Sequence, residues 1–394
     1  MSAQTNTAGL LRRNLMANLQ TYAIMLALVA IWALFAATTK GAYLNAQNFS
    51  NLLRQMTVTS FLASGMVLVI VTGGIDLSVG KLAGFVSVVA AYFQASVWTK
   101  VIPDQPILAA VLSILIGLGV GVLWGIAQGY IISYLRVPAF IVTLGSMWIL
   151  NGAILLVTQG KTIPANQPAF SVIAQGYLPN WAGWVLGAIS IVLLVYSTVR
   201  GRNQKRKYGF ELAPLFLDLI KVIFFSALIA GYVYYVNLYN GVAVPVLLLA
   251  ITVLIMSYIS DNTRFGRYAY AIGGNREAAR LSGIGIRKNV FQIFVLMGFL
   301  CGVSGVVLAS YVGYGTIAAG NGYELDAIAS CILGGTSTLG GEGTVIGAMI
   351  GSLIMTSLTN GLQMLNVAPA WQYVVKGVVL ILAVLADVYF KKNR

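Results

Sequence analysis

The sequence predicts an all-α, polytopic membrane protein, and three observations carry that reading. Apolar residues fill 59% of 394 positions and charged ones only 9%, against roughly a quarter charged in soluble domains. Apolar runs of about 18 residues or more, each able to cross a bilayer as a helix, recur along the whole length. Lysine and arginine fall on alternate connections between those runs. No polar stretch exceeds about thirty residues, too short for a separate soluble domain.

Residues 1–21 carry Arg12 and Arg13 and lack a secretory cleavage pattern, so they read as a cytosolic tail. Residues 22–390 form one transmembrane domain, and 391–394 a second cytosolic tail. The first span is expected at Tyr22–Thr38, followed by a loop at Lys40–Ser50 and a second span at Asn51–Thr72. Gly73-Gly74-Ile75-Asp76-Leu77-Ser78-Val79-Gly80 breaks the pattern before a run at Leu82–Val97. Runs at Ile107–Ser133, Phe140–Thr158 and Gly183–Val199 lead to the densest basic cluster, Arg200–Gly209. Two more, Leu217–Val236 and Val242–Ile259, precede a polar interval at Thr263–Lys288. The chain then passes through Phe291–Val312, a short run at Ile328–Gly334, Thr344–Leu362 and Trp371–Tyr389. The expected count is ten to twelve spans.

Charge placement orients this threading. With the N-terminus inside, nineteen of the 24 basic residues lie on the inner side, whereas Lys40, Arg54, Lys100 and Lys161 lie outside and Lys376 falls within the last span. Such asymmetry predicts both termini in the cytosol. It also accounts for the net charge of +14 without nucleic acid.

The interval Thr263–Lys288 carries six basic residues against one acid, Glu277. Glu277-Ala278-Ala279-Arg280 favours a short helix, which Asn275 would cap and Gly283 would stop. A small-residue helix with a basic flank, held at the membrane face, is read as a docking knob for a soluble partner.

Two glycine-rich breaks recur in the two halves, Gly73–Gly80 and Gly334-Gly335-Thr336-Ser337-Thr338-Leu339-Gly340-Gly341, both on the cytosolic side. Unwound backbone must line a cavity or be packed in protein, so paired breaks point to a transport path; close helix packing through glycine is the other reading. Path candidates are Gly74, Asp76, Ser78, Gly80, Asn151, Gly334, Gly335, Thr336, Ser337 and Asn360. Asp76 is read first as a cap for the run beginning at Leu77 or Ser78, and second as a path residue. Asn151, Gln128, Asn360 and Gln363 suit interhelical hydrogen bonds as well as a polar solute. Glu324 and Asp326 are expected to serve the start of the short run, and Lys376 to be tied to Asn or backbone carbonyls.

Several classes are excluded. There is no histidine, which rules out imidazole relays and Ser-His-Asp catalysis. Cys301 and Cys331 both lie in apolar runs, so neither a metal site nor a disulfide framework is indicated. Gly74–Lys81 has five residues between its glycines and Leu82 after the lysine, which does not fit a phosphate-binding loop.

The string Ala271-Ile272-Gly273-Gly274-Asn275-Arg276-Glu277-Ala278-Ala279-Arg280-Leu281-Ser282-Gly283-Ile284 resembles the coupling-loop signature of bacterial monosaccharide ABC importer permeases of the ribose/xylose type. Gly74–Gly80 and Gly334–Ser337 with Leu339-Gly340-Gly341 match two further marks in the right order, and the likeness runs from about Tyr43 to the end. Of the Ile-x-Leu-Pro that general importers place next, Ile293-Phe294-Val295-Leu296 keeps only Ile293. The long stretch Gly183–Val236 and the segment Ala42–Gln55 resemble the xylose or multiple-monosaccharide branch.

The resemblance implies a homodimeric permease of the bacterial inner membrane for a monosaccharide, a pentose such as xylose first, with galactose or arabinose left open. ATP-binding cassette subunits would dock through Asn275, Arg276, Glu277, Ala278, Ala279, Arg280 and Gly283, and a periplasmic binding protein would deliver the sugar. ATP and magnesium would sit on the ATPase, leaving this chain without cofactor, metal or catalytic residues. The competing class is an ion-coupled secondary transporter of a small polar solute, which would need titratable groups deep in the bilayer.

Overall fold

The computed structural model describes residues 19–165, 167–210 and 214–392; most of the expected N-terminal tail and the last two residues of the C-terminal one lie outside them. Its helices are α1 (Leu19–Thr38), α2 (Ala46–Val71), α3 (Val79–Tyr92, continued through a π-turn to Val101), α4 (Pro106–Ser133) and α5 (Ala139–Thr158). Then come α6 (Pro168–Gln175), α7 (Asn180–Lys207), α8 (Leu215–Asn237), α9 (Val244–Asn262), α10 (Arg264–Gly274) and α11 (Arg276–Leu281). The last four are α12 (Ile286–Val312), α13 (Tyr323–Leu333), α14 (Val345–Met364) and α15 (Pro369–Lys392). Among the described residues, nine helices are long and apolar enough to span a membrane, with shorter apolar helices at Ile24–Thr38 and Pro369–Leu385.

The order of spans follows the sequence reading, and several helices begin before their apolar runs do, α12 at Ile286 where the sequence predicts a run from Phe291. Helix α2 starts at Ala46 because the Asn45 side chain accepts from the amide of Gln47 at 3.0 Å. A helix start needs such an acceptor for its free amides, so the outer loop is shorter than Lys40–Ser50. Helix α13 begins at Tyr323, which puts Glu324 and Asp326 inside its first turn instead of ahead of it.

Helices α2, α3 and α12 form the centre. Met56–Val71 of α2 is buried throughout, and Ser304 Oγ of α12 donates to the Val58 carbonyl at 2.8 Å. Helix α4 packs on α12 through Gly117, Gly121, Gly125 and Gly129. A Cβ on Gly121 would lie 2.3 Å from the Gly298 carbonyl, so only glycine lets these backbones approach. Helices α7 and α8 pair with each other at the periphery and present apolar surface outward, as lipid-facing helices do.

On the outer side, Ile163–Pro164 pairs antiparallel with Tyr314–Gly315. Arg54 binds this side too, donating to the Ala174 carbonyl at 3.1 Å and to Tyr177 Oη at 3.0 Å. The chain beyond Gly315 then descends along α3: Gly315 lies against Val88, Gly84 against the Ala319 carbonyl and Gly320 against Gly80. Helix α13 therefore starts inside the bundle and covers only the inner part of its crossing.

Candidate functional site

The polar interval after α9 folds into two short helices at the basic face. Thr263 caps α10, its Oγ1 accepting from the amide of Gly266 at 3.2 Å. Asn275 caps α11, its Oδ1 accepting from the amide of Ala278 at 2.9 Å. Gly283 takes φ +80°, the left-handed turn after the helix that the sequence anticipates. Arg280 reaches back to Glu277 through two hydrogen bonds of 2.6 and 3.0 Å, which hold the Glu277 carboxyl below its ordinary range. Both side chains are exposed, whereas Ala279 is buried against the bundle. Leu281, at 73% exposure, adds an apolar tip that the sequence reading missed; a leucine inside a helical polar loop is the signal that could have found it.

The two glycine breaks meet under this helix pair. The amide of Gly341 donates to the Val71 carbonyl at 2.9 Å. A Cβ on Gly341 would approach Gly274 to 3.0 Å, and one on Gly340 would approach the Gly73 amide to 3.4 Å. Gly273 of α10 lies against Val71. Tyr270 Oη donates to the Gly343 carbonyl at 2.9 Å. The end of α2, the second break and α10 are thus one hydrogen-bonded unit, whose parts come from distant stretches of chain.

The remaining path candidates scatter around it. Asp76 is buried; its Oδ1 accepts from the amide (2.9 Å) and Oγ (2.6 Å) of Ser78, and Gln128 Nε2 donates to Ser78 Oγ at 2.8 Å. Burial pushes the Asp76 carboxyl, in the break between spans, up to about 6. Gly80 faces Gly320 and Glu324, and Gly334 faces Gly347. Gly335 takes φ +89°. Thr336 is fully buried with no hydrogen-bond partner for Oγ1 among the described residues, while the amide of Ser337 donates to the Glu342 carbonyl at 2.9 Å. Asn151 lies in mid-α5, away from both breaks and roughly two turns beyond Thr143, which donates to the Ile75 carbonyl. Asn360 accepts from Asn48 Nδ2 at 3.0 Å and so ties α14 to α2.

One cavity adjoins the unit, and a second lies towards the opposite ends of α2 and α14. The first, of about 980 Å³, opens beside the coupling helices, edged by Gly73, Gly74, Arg136, Arg276, Arg280 and Lys288. The other, of about 280 Å³, lies between α2, α13, α14 and α15. Asp326 and Lys376 line the second and pair at 2.8 Å. Lys376 is therefore held by a carboxylate, and not by the Asn or backbone carbonyls expected for it. The pairing joins residues far apart in sequence, and the only hint of it was an acid and a base in neighbouring apolar stretches.

Comparison with known proteins fixes what kind of protein this is. Residues 48–384 match the family described as branched-chain amino acid transport system / permease component. The chain belongs to that permease family. The xylose transport system permease protein XylH of Haemophilus influenzae is 41% identical over 376 residues, which is 95% of this chain and 98% of the relative. The galactose/methyl galactoside import permease protein MglC of Escherichia coli K12 is 35% identical over 371 residues, 93% of this chain and 92% of the relative. The ribose import permease protein RbsC of the same strain is 34% identical over 362 residues, 91% and 92% of the two chains. No solved structure matches the chain. This permease is accordingly a multi-pass protein of the inner membrane, and its apolar helices are membrane spans.

Proposed function

We propose that this permease is the membrane subunit of an ATP-driven importer for a monosaccharide, a pentose such as xylose. Its likeness to xylose, galactose and ribose permeases along nearly their whole length supports the sugar class. Two copies form the path, an ATP-binding subunit docks on α11 of each, and a periplasmic sugar-binding protein supplies the solute. ATP and magnesium stay on the ATPase, and this chain brings no cofactor of its own.

The single observation behind the mechanism is the seating of α10 on Val71 and on the second glycine break. A push on the exposed Glu277–Arg280 face is relayed to α2 and, through Gly334–Gly343, to both α13 and α14. Packed helices shift between discrete arrangements, so closure of the ATPase pair biases an inward/outward equilibrium. The ion-coupled alternative rests on Asp326 and Lys376, the acid and base paired inside the bundle.

Purification of the tagged chain from its native membranes, with mass spectrometry of co-purifying proteins, tests the reading. We expect a stoichiometric ATP-binding cassette subunit, lost in Glu277→Arg, and uptake of labelled D-xylose that stops on ATP depletion. Retention of the ATPase by Glu277→Arg overturns the contact. Uptake that survives ATP depletion but fails on collapse of the proton gradient overturns the class.

A further inference from the structure

We infer that the cavity between α2, α13, α14 and α15 is a monosaccharide-binding station in the outer half of the path, an inference that rests on the importer reading above. Its walls are polar where a membrane bundle is ordinarily apolar. Gln55 and Thr59 come from α2, Thr359 and Gln363 from α14, and the paired Asp326 and Lys376 from α13 and α15. The cavity runs from Thr356, near the middle of α14, to Gln363 and Pro369 at the junction of α14 and α15, so it occupies the half of the crossing away from the glycine breaks.

Charge in the hydrocarbon region is costly unless it is paired or faces an aqueous path. Asp326 and Lys376 meet both conditions, being paired at 2.8 Å with side chains only 10% and 20% exposed to the cavity. The lining therefore carries no net charge. It offers carboxylate and amide oxygens as acceptors, with ammonium, amide and hydroxyl hydrogens as donors. A solute with several neutral hydroxyl groups, each both donor and acceptor, matches that mixture. An anion or a metal ion would have to break the ion pair first; Gln55 Nε2 donates to Gln363 Oε1 at 3.2 Å, which leaves Gln55 Oε1 and Gln363 Nε2 to face the solute. Tyr323 and Tyr373 add ring surface for the C–H faces of a sugar. The volume, about 280 Å³, is at the small end of ligand pockets, as a single sugar ring requires.

The floor of the station explains how it would be emptied. Below it α13 lies tight on α14: a Cβ on Gly351 would sit 2.0 Å from the Ser330 carbonyl, and one on Gly334 would sit 2.2 Å from Gly347. Helix α13 ends in the break whose Gly341 is bonded to Val71. The half-helix thus runs from the sugar's contacts to the unit under the coupling helices. Movement of that unit opens the floor.

Uptake of labelled D-xylose, D-ribose and D-galactose by cells expressing the complete transporter tests this. Cys301 and Cys331 are both fully buried, so a membrane-impermeant thiol reagent should leave the native chain active. In Thr359→Cys the same reagent should lower uptake at least tenfold, and excess transported sugar should slow the modification. Gln363→Leu should lower uptake to a similar degree while keeping the ATPase bound and ATP hydrolysis stimulated by the binding protein. Full uptake by both variants, with the reagent present, overturns the station while leaving the importer reading intact. If the native complex moves none of the three sugars, the importer reading itself fails.

Discussion

The Gly341 amide donates to the Val71 carbonyl at 2.9 Å, closing the second glycine break onto the end of α2. Gly273 shares that carbonyl: a Cβ there would stand 1.6 Å from it, a separation no side chain tolerates. Gly273→Ala should therefore lift α10 off the breaks, with an overpacking cost of about 1–3 kcal/mol. Gly274→Ala is the control, since a Cβ there meets nothing within 4 Å. Sugar uptake at matched membrane abundance should fall at least tenfold in the first and stay within twofold in the second. Equal uptake by the two would remove α10 from the relay.

Asn275 separates α10 from α11 and caps the second helix. Asn275→Ala should cost about 1 kcal/mol of local stability, and Asn275→Asp should preserve it. An isolated six-residue helix has little reserve, so loss of its cap should fray it. Hydrogen exchange at the α11 amides is the direct readout, and faster exchange should accompany weaker retention of the ATPase. Unchanged exchange would show that the contacts of buried Ala279, not the cap, hold the helix.

Local chemistry made the long spans, the capped α11, the Gly283 stop and the two breaks legible, because each is written within a few neighbouring residues. Hydropathy alone cannot report which distant stretches meet. The bond from Gly341 to Val71 and the pair of Asp326 with Lys376 depend on the packing of whole helices. The stretch from Thr316 to Gly322 is also illegible as a membrane segment, because it runs as successive turns against Gly80 and Gly84 of α3 and lacks a helical period. The sequence offers Asp76 as a cap for a helix starting at Leu77 or Ser78; the helix starts at Val79 with Ser78 in the cap position, Asp76 accepts from the Ser78 amide, and the link through Ser78 to Gln128 of α4 depends on the fold.

Asp76 gives a pH signature. Burial raises its carboxyl from the ordinary acid range to about 6, so the folded chain keeps a proton that the unfolded chain releases. Stability is then greatest below pH 4, declines as the pH rises towards 6, and is flat above that. A shift of about two units corresponds to roughly 2–3 kcal/mol. Asp76→Asn keeps an acceptor for the Ser78 amide and removes the charge, so it should flatten the pH 4–6 slope and raise the thermal midpoint at pH 7.5. Asp76→Ala should instead cost about 1–3 kcal/mol by leaving that amide unpaired. An unaltered slope in Asp76→Asn would assign the titration to another group.

The Asp326–Lys376 pair separates polar packing from solute binding. Lys376→Met strands a carboxylate among α13, α14 and α15. Breaking a fully buried pair costs about 3–5 kcal/mol, and access to the cavity should reduce this to about 2–3 kcal/mol. Asp326→Asn combined with Lys376→Met removes both charges and should recover most of the loss. A double-mutant cycle on thermal stability in detergent should then give an interaction of at least about 1 kcal/mol. The interaction should persist at high salt, because a pair so little exposed is poorly screened. Uptake should stay low in the stable double variant, since the carboxylate and the ammonium that offer charge-assisted hydrogen bonds to the sugar hydroxyls have gone. Restored stability together with restored uptake would make the pair a structural clasp and leave Thr359 and Gln363 as the sugar contacts.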